Sequence, residues 1–196
     1  MPGLRARGGR TSTGGSDHEI VHHLTEAARH YDFNLSILGQ DEEDAPKIVP
    51  RELIEQLVVE SGRPVLVVPY AGHFGDIGAR PLVACTDARA AARALNDGLV
   101  LVRPNAKVIV ASMGTGTEPR KLSAEHIREH LKAHELDTEV EYMQVTEVGV
   151  MDTLLNIAAD NAADLIIMGA FGGYGYPLLS RGSGTRYMTA PCLFPH

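Results

Sequence analysis

One stretch of this sequence carries residues whose types and spacing point to chemistry. It runs Gly169-Ala-Phe-Gly172-Gly-Tyr-Gly175-Tyr-Pro-Leu-Leu-Ser-Arg181-Gly182-Ser183-Gly184-Thr185. An apolar run, Leu165 to Met168, precedes it, and a short helix is expected from about Ser183. Glycine has no Cβ, so such a loop turns sharply and lets a ligand approach main-chain atoms. The unpaired N–H groups at the head of the following helix, together with its dipole, favour negative charge there. Ser183 and Thr185 add hydroxyl donors, and Arg181 or Arg186 supplies a cation. Phosphate binding through backbone amides is the chemistry to expect. The competing reading is a glycine-rich surface loop with no ligand. The spacing is neither a Gly-Lys-Ser/Thr phosphate loop nor a dinucleotide fingerprint.

The elements that must position this loop alternate in type. Residues 19–31 recur at helical spacing (Ile20, Val21, Leu24, Ala27, Ala28, Tyr31), and Leu35 to Leu38 reads as a strand. The acidic loop QDEEDAP, a helix near 50–60 and the strand Pro64 to Val68 follow. Gly72, Gly75 and Gly78 form a turn-rich link ending at Pro81, the expected domain boundary. Beyond it, strands are expected at 82–85, 107–112, 138–144, 164–168 and 192–194. Helices are expected at 87–102 (capped by Asp87), from Ser123 to about Leu136, at 147–161 and from Ser183. That βαβαβαβαβ order predicts an α/β fold: an open parallel five-stranded sheet with helices on both faces, Rossmann-like. The two halves also echo each other. Asn34-Leu-Ser-Ile-Leu-Gly39 matches Asp164-Leu-Ile-Ile-Met-Gly169, with Ala28 and Ala158 in the same register, and Arg63-Pro-Val-Leu66 resembles Ala190-Pro-Cys-Leu193.

The tract ADLIIMGAFG, with Gly169-x-x-Gly172, nine further residues and Gly182-Ser183, resembles the ATP-binding signature of the universal stress protein family. GRPVLVVPYAG at 62–72 resembles the strand and linker that join two such domains in tandem members. The resemblance covers nearly all of 19–196 and implies an adenine nucleotide alpha hydrolase-like fold in two units. Residues 18–72 would be the C-terminal part of a first domain and residues 78–196 a complete second one; residues 1–17, basic and rich in Gly, Ser and Thr without an apolar core, read from composition as a disordered leader or an irrelevant start. The resemblance also implies that Met168, Gly169, Gly172, Gly182, Ser183, Gly184 and Thr185 line the phosphates and ribose of ATP. Met113 would offer backbone contacts to the base, and Thr86 and Asp87 would lie at the end of the first strand. The family places an Asp directly after that strand, whereas here Thr86 holds the position and Asp87 comes one residue later. Magnesium would enter with the phosphates rather than through a protein cage. The first unit has Gln40-Asp-Glu-Glu-Asp44 after Gly39, a loop that repels phosphate and predicts no nucleotide there.

Other constellations are weaker. His126, His130 and His134 fall at i, i+4, i+8 on one predicted helix, a stripe read as a solvated face with metal binding as the alternative. His18 and His22 repeat the spacing, while Cys85 and Cys192 read as core thiols. Asp152 and Asp160 have no partner at glycosidase-like spacing, and Ser183 lacks a Gly-x-Ser-x-Gly elbow, so no catalytic residue is assigned. Eighteen basic against 25 acidic residues give a net charge of −7 over 196 residues. That balance disfavours nucleic acid and anionic membranes as partners. No apolar run approaches the ~20 residues of a membrane span, and two cysteines make no disulfide framework. A cytoplasmic, ATP-binding stress-response regulator is expected, not an enzyme, and dimeric through its terminal strands. The alternatives are a non-nucleotide interaction module of the same fold and an adenylate-handling enzyme.

Overall fold

The computed structural model describes residues 17–31, 34–37, 57–68, 76–85, 88–114, 121–144 and 150–170. Its elements are α1 (Asp17–Ala28), β1 (Asn34–Ile37), β2 (Val65–Val68), β3 (Pro81–Cys85), α2 (Arg89–Gly98), β4 (Lys107–Gly114), α3 (Lys121–Ala133), β5 (Asp137–Gln144), α4 (Val150–Asp160) and β6 (Leu165–Ile167). A 3-10 turn, Leu99–Leu101, extends α2, and residues 57–60 are helical.

The larger sheet is parallel, in the order β5-β4-β3-β6. All of Pro81–Cys85 and all of Val108–Ser112 are buried, as expected of parallel strands covered on both faces. Side chains alternate along these strands. Val83, Cys85, Val108 and Val110 pack with Leu95 of α2 and Leu131 of α3. Leu82, Ala84, Ile109 and Ala111 pack with Met151, Leu154, Ile157 and Ala158 of α4. Crossover handedness explains the division. From β3 to β4 to β5 the chain steps one way along the sheet, whereas β5 to β6 steps back past both strands, so right-handed connections put α4 on the opposite face from α2 and α3. Pro81, which lacks an N–H, stands at the first position of its strand.

The expected α/β architecture is present with four strands among the described residues; the predicted fifth strand, 192–194, lies outside them. Several boundaries differ from expectation. The N-cap of α2 is Ala88, with no side-chain cap, in place of the expected Asp87. The helix expected to 102 gives way to a 3-10 turn after Gly98. The third helix ends at Ala133, not near Leu136. There Glu135 takes a left-handed conformation (φ 61°), and Leu136 N–H donates to Leu131 O at 3.1 Å. α4 closes the same way through Ala162 (φ 46°), with Ala163 N–H on Ala158 O at 2.7 Å. Both are closures usually made by glycine.

The other described sheet has two strands. β1 and β2 pair in parallel from Asn34↔Val65 to Ile37↔Val68, and Ala28, Leu57 and Val65 form its apolar cluster. A helix precedes a strand in both α1-β1 and α4-β6, and Ala28 and Ala158 are both buried. Their surroundings differ. Leu154, four residues before Ala158, is fully buried, while Leu24, four before Ala28, is 45% exposed. Among the described residues, α4-β6 belongs with a four-stranded sheet and α1-β1 with a two-stranded one.

Candidate functional site

The chain reverses direction across the sheet at β3. The crossover from β3 runs over one face to β4, while β6 lies on the other side of β3 and is reached over the opposite face. In open α/β sheets ligands bind outside the carboxyl ends of the strands at such a switch point. The rim is built from Cys85 at the end of β3, the head of α2 at Ala88–Ala91, and Met168–Ala170 leaving β6.

Gly169 fixes how close these elements come. A Cβ there would lie 2.5 Å from Ala91 N, 2.7 Å from Ala90 C and 2.9 Å from Ala91 Cα, all main-chain atoms of α2. The glycine loop therefore leaves the sheet in direct contact with the first turn of α2. At the other end of that helix, Gly98 admits Ile167 of β6, whose Cδ1 would lie 2.9 Å from an added Cβ. The head of α2 has an extended N-cap residue without a side-chain acceptor and no acidic residue in its first turn. Arg89 stands there exposed. Among the described residues, a helix start with no side-chain cap, no acidic residue in its first turn and a cation at Arg89 is electrostatically suited to an anion.

Three of the ten residues assigned from sequence lie in described segments. Met168 is half-buried and packs onto the apolar cluster under α4. Gly169 touches α2 as above. Met113 belongs to β4, which continues two residues past the expected end at Ser112. Its ladder with β3 stops at Cys85↔Ser112, whereas the ladder with β5 reaches Gly114↔Gln144. Met113 and Gly114 extend beyond Ser112, the last β4 residue with a described β3 partner, toward the carboxyl edge. Thr86, Asp87, Gly172, Gly182, Ser183, Gly184 and Thr185 lie outside the described residues, as do the acidic loop 40–44 and Cys192.

At the opposite edge of the sheet, Asp164 secures the entry of β6. Its carboxylate accepts from Gly78 N (3.1 Å), Ala79 N (2.8 Å) and Arg80 N (3.0 Å), and its own N–H donates to Arg80 O at 3.1 Å. Gly78 adopts φ +81°, and a Cβ there would sit 1.9 Å from Leu101 O. Sequence reading marked Gly78 as a turn glycine and Asp164 as a strand start. Nothing in either segment announced their bonding across 86 positions. The contact of Ala90 and Ala91 with Gly169 was also missed, because a pair of alanines opening a helix looks like ordinary helix surface.

Cys85 is buried in the core, as expected. On α3, His130 and His134 come into ring contact. On α1, His22 and His23 lie 3.7 and 3.9 Å from Glu26. Among the described residues no three His, Cys, Asp or Glu side chains converge to hold a metal ion, and no helix is long and apolar enough to cross a membrane.

No protein-family model matches this chain, and neither does any curated protein. Among solved structures, the crystal structure of protein Rv1636 from Mycobacterium tuberculosis H37Rv is similar at 18% identity. The match covers 62% of this chain and 97% of that one, with a TM-score of 0.38. So loose a likeness adds nothing to the topology described above.

Proposed function

We propose that this chain binds ATP or a related adenine nucleotide at the carboxyl edge of β3 and β6 and serves as a stress-response regulator of the universal stress protein type. The observation that supports this reading is the contact of Gly169 with the head of α2. It brings the start of the glycine loop to the head of α2, whose N-cap Ala88 offers no side-chain acceptor and whose first turn has no acidic residue, at one switch point. Gly172, Gly182, Ser183, Gly184 and Thr185 would complete the phosphate cradle, with Met113 at the base and Thr86 and Asp87 at the end of β3. Magnesium would arrive with the phosphates. The nucleotide is held as a signal, with no residue assigned to turn it over, in a cytoplasmic protein that dimerises through its terminal strands. Calorimetric titration with ATP, run on the unmodified chain and on Gly172→Val, tests the reading. Binding that the valine removes supports it, and equal heats from the two proteins remove the loop from the account.

A second reading is an interaction module of the same fold. It draws on the first unit, where Leu24 is 45% exposed and all four residues of β2 are only half-buried. An apolar face of that kind, beside a two-stranded sheet, suits pairing with another chain. A dimer whose sedimentation is indifferent to ATP, in a chain that binds none, would favour it.

A further inference from the structure

The histidine row on α3 takes no part in the nucleotide reading. His126, His130 and His134 recur every fourth residue of this helix, so their side chains stack along one face. Leu131 is fully buried and Ile127 packs on the core, which fixes how the helix is turned. His126 and His134 are exposed, and His130 is half-buried. The rings of His130 and His134 meet edge to face, with centroids 4.9 Å apart and planes inclined by 68°. His130 Nε2 is buried and has no hydrogen-bond partner. A buried polar nitrogen without a partner is costly, and such groups in folded proteins call for an explanation.

Imidazole nitrogen is a strong ligand for borderline transition-metal ions. Two imidazoles one helical turn apart offer two such donors, and coordination would give the buried nitrogen the partner it lacks. We propose that His130 and His134 form a two-nitrogen site for a divalent transition-metal ion, with Cu2+ held ahead of Ni2+ and Zn2+, as the general affinity order dictates. No third ligand converges on the pair among the described residues. Water would fill the remaining positions, leaving the ion open and exchangeable, unlike the closed four-ligand sphere of a structural site. The ring contact that exists without metal is itself a favourable aromatic arrangement. An ion would replace it, which requires the exposed His134 ring to move.

The test is substoichiometric Cu2+ added to the isotope-labelled full-length chain, followed by amide nuclear magnetic resonance. Paramagnetic broadening is expected to centre on His130 and His134. His134→Gln should weaken Cu2+ binding on the order of tenfold or more, since loss of even an outer-sphere partner commonly costs that much. A His22→Gln/His23→Gln double variant should bind as the unmodified chain does. Broadening centred on α1 or on any other segment, or a His134→Gln chain that keeps the full affinity, would overturn the assignment.

Discussion

Replacing Gly169 with alanine isolates the contact on which the site's shape rests. The added Cβ would stand 2.5–2.9 Å from three main-chain atoms of Ala90 and Ala91. Carbon contacts settle near 3.5–4.0 Å, so the shortfall is about 1 Å. No rotamer change relieves it, because the opposing atoms are backbone. α2 must shift as a body, yet Leu95 anchors it to the core and Gly98 seats its far end on Ile167. Overpacking of this kind costs about 1–3 kcal/mol, and rigid neighbours place it at the upper end. The reduced freedom of the unfolded chain returns roughly 0.4–1 kcal/mol. The expected net loss is therefore about 1–2.5 kcal/mol. Gly98→Ala is the control. Its Cβ meets only side-chain atoms of Ile167, the nearest at 2.9 Å, and gains about 1 kcal/mol of helix propensity, so the two effects should nearly cancel. Urea titrations followed by circular dichroism measure both variants through the midpoint at constant slope. A Gly169→Ala chain within about 0.5 kcal/mol of the parent, the usual scatter of surface substitutions, would refute the close approach of β6 and α2.

Four further outcomes follow from other parts of the molecule. Asp164→Ala removes an acceptor shared by three main-chain donors and should cost about 2–4 kcal/mol in the same urea assay, each such bond being worth roughly 1.5–3 kcal/mol when deeply buried and less here. Leu154→Ala should cost about 2–5 kcal/mol, as a fully buried leucine does, whereas Leu24→Ala in the matching position should cost under about 1 kcal/mol. Ala162→Gly should raise the thermal midpoint, because relief of about 1–2 kcal/mol of left-handed strain exceeds the roughly 0.5–1 kcal/mol entropic cost of glycine. Stability should also decline in alkali. The hydrogen bond and charge of Glu139 raise the Lys107 pKa, and burial followed by the Glu125 charge raises that of Tyr142. Both folded-state values lie above the unfolded ones, so both contributions are intact below about pH 10 and are lost as pH rises through the folded values. Glu139→Gln should flatten that decline in urea midpoints collected across the range, and an unchanged slope would refute the lysine's part.

The sheet was legible because β3, the start of β4 and β6 are written in apolar, largely β-branched runs, and β5 in polar–apolar alternation from Thr138 to Gln144. Val108-Ile109-Val110 admits no surface reading, and both faces of β4 are indeed covered. The helices were legible from periodicity, but the ends of α2 and α3 fall short of the expected positions and the closing turns were not legible. Glu135 and Ala162 close α3 and α4 with left-handed backbones, and neither residue type signals such a turn. The Asp164 clamp was invisible for a different reason, since it joins segments distant in sequence and its donors are backbone groups that every residue carries. At the candidate site, Gly169 was chosen for ligand approach, and its contact with α2 gives a packing reason for the same residue. A glycine spacing cannot separate those two demands, because both require the missing Cβ. The echoing tracts are a helix followed by a strand in both places, but a matching pattern carries no information on how much sheet is present to cover it. Leu24 and Leu154 are alike in sequence and opposite in exposure.

Amide chemical-shift mapping of the full-length chain during an ATP titration tests the central claim most directly. The account predicts saturable shifts concentrated at Ala90 and Ala91 in the head of α2, at Met113 and Gly114 past the end of the β3 ladder, and at Met168 and Gly169 leaving β6, with α1 and β2 unmoved. A spectrum unchanged by ATP, or shifts gathered on the first unit, would contradict it.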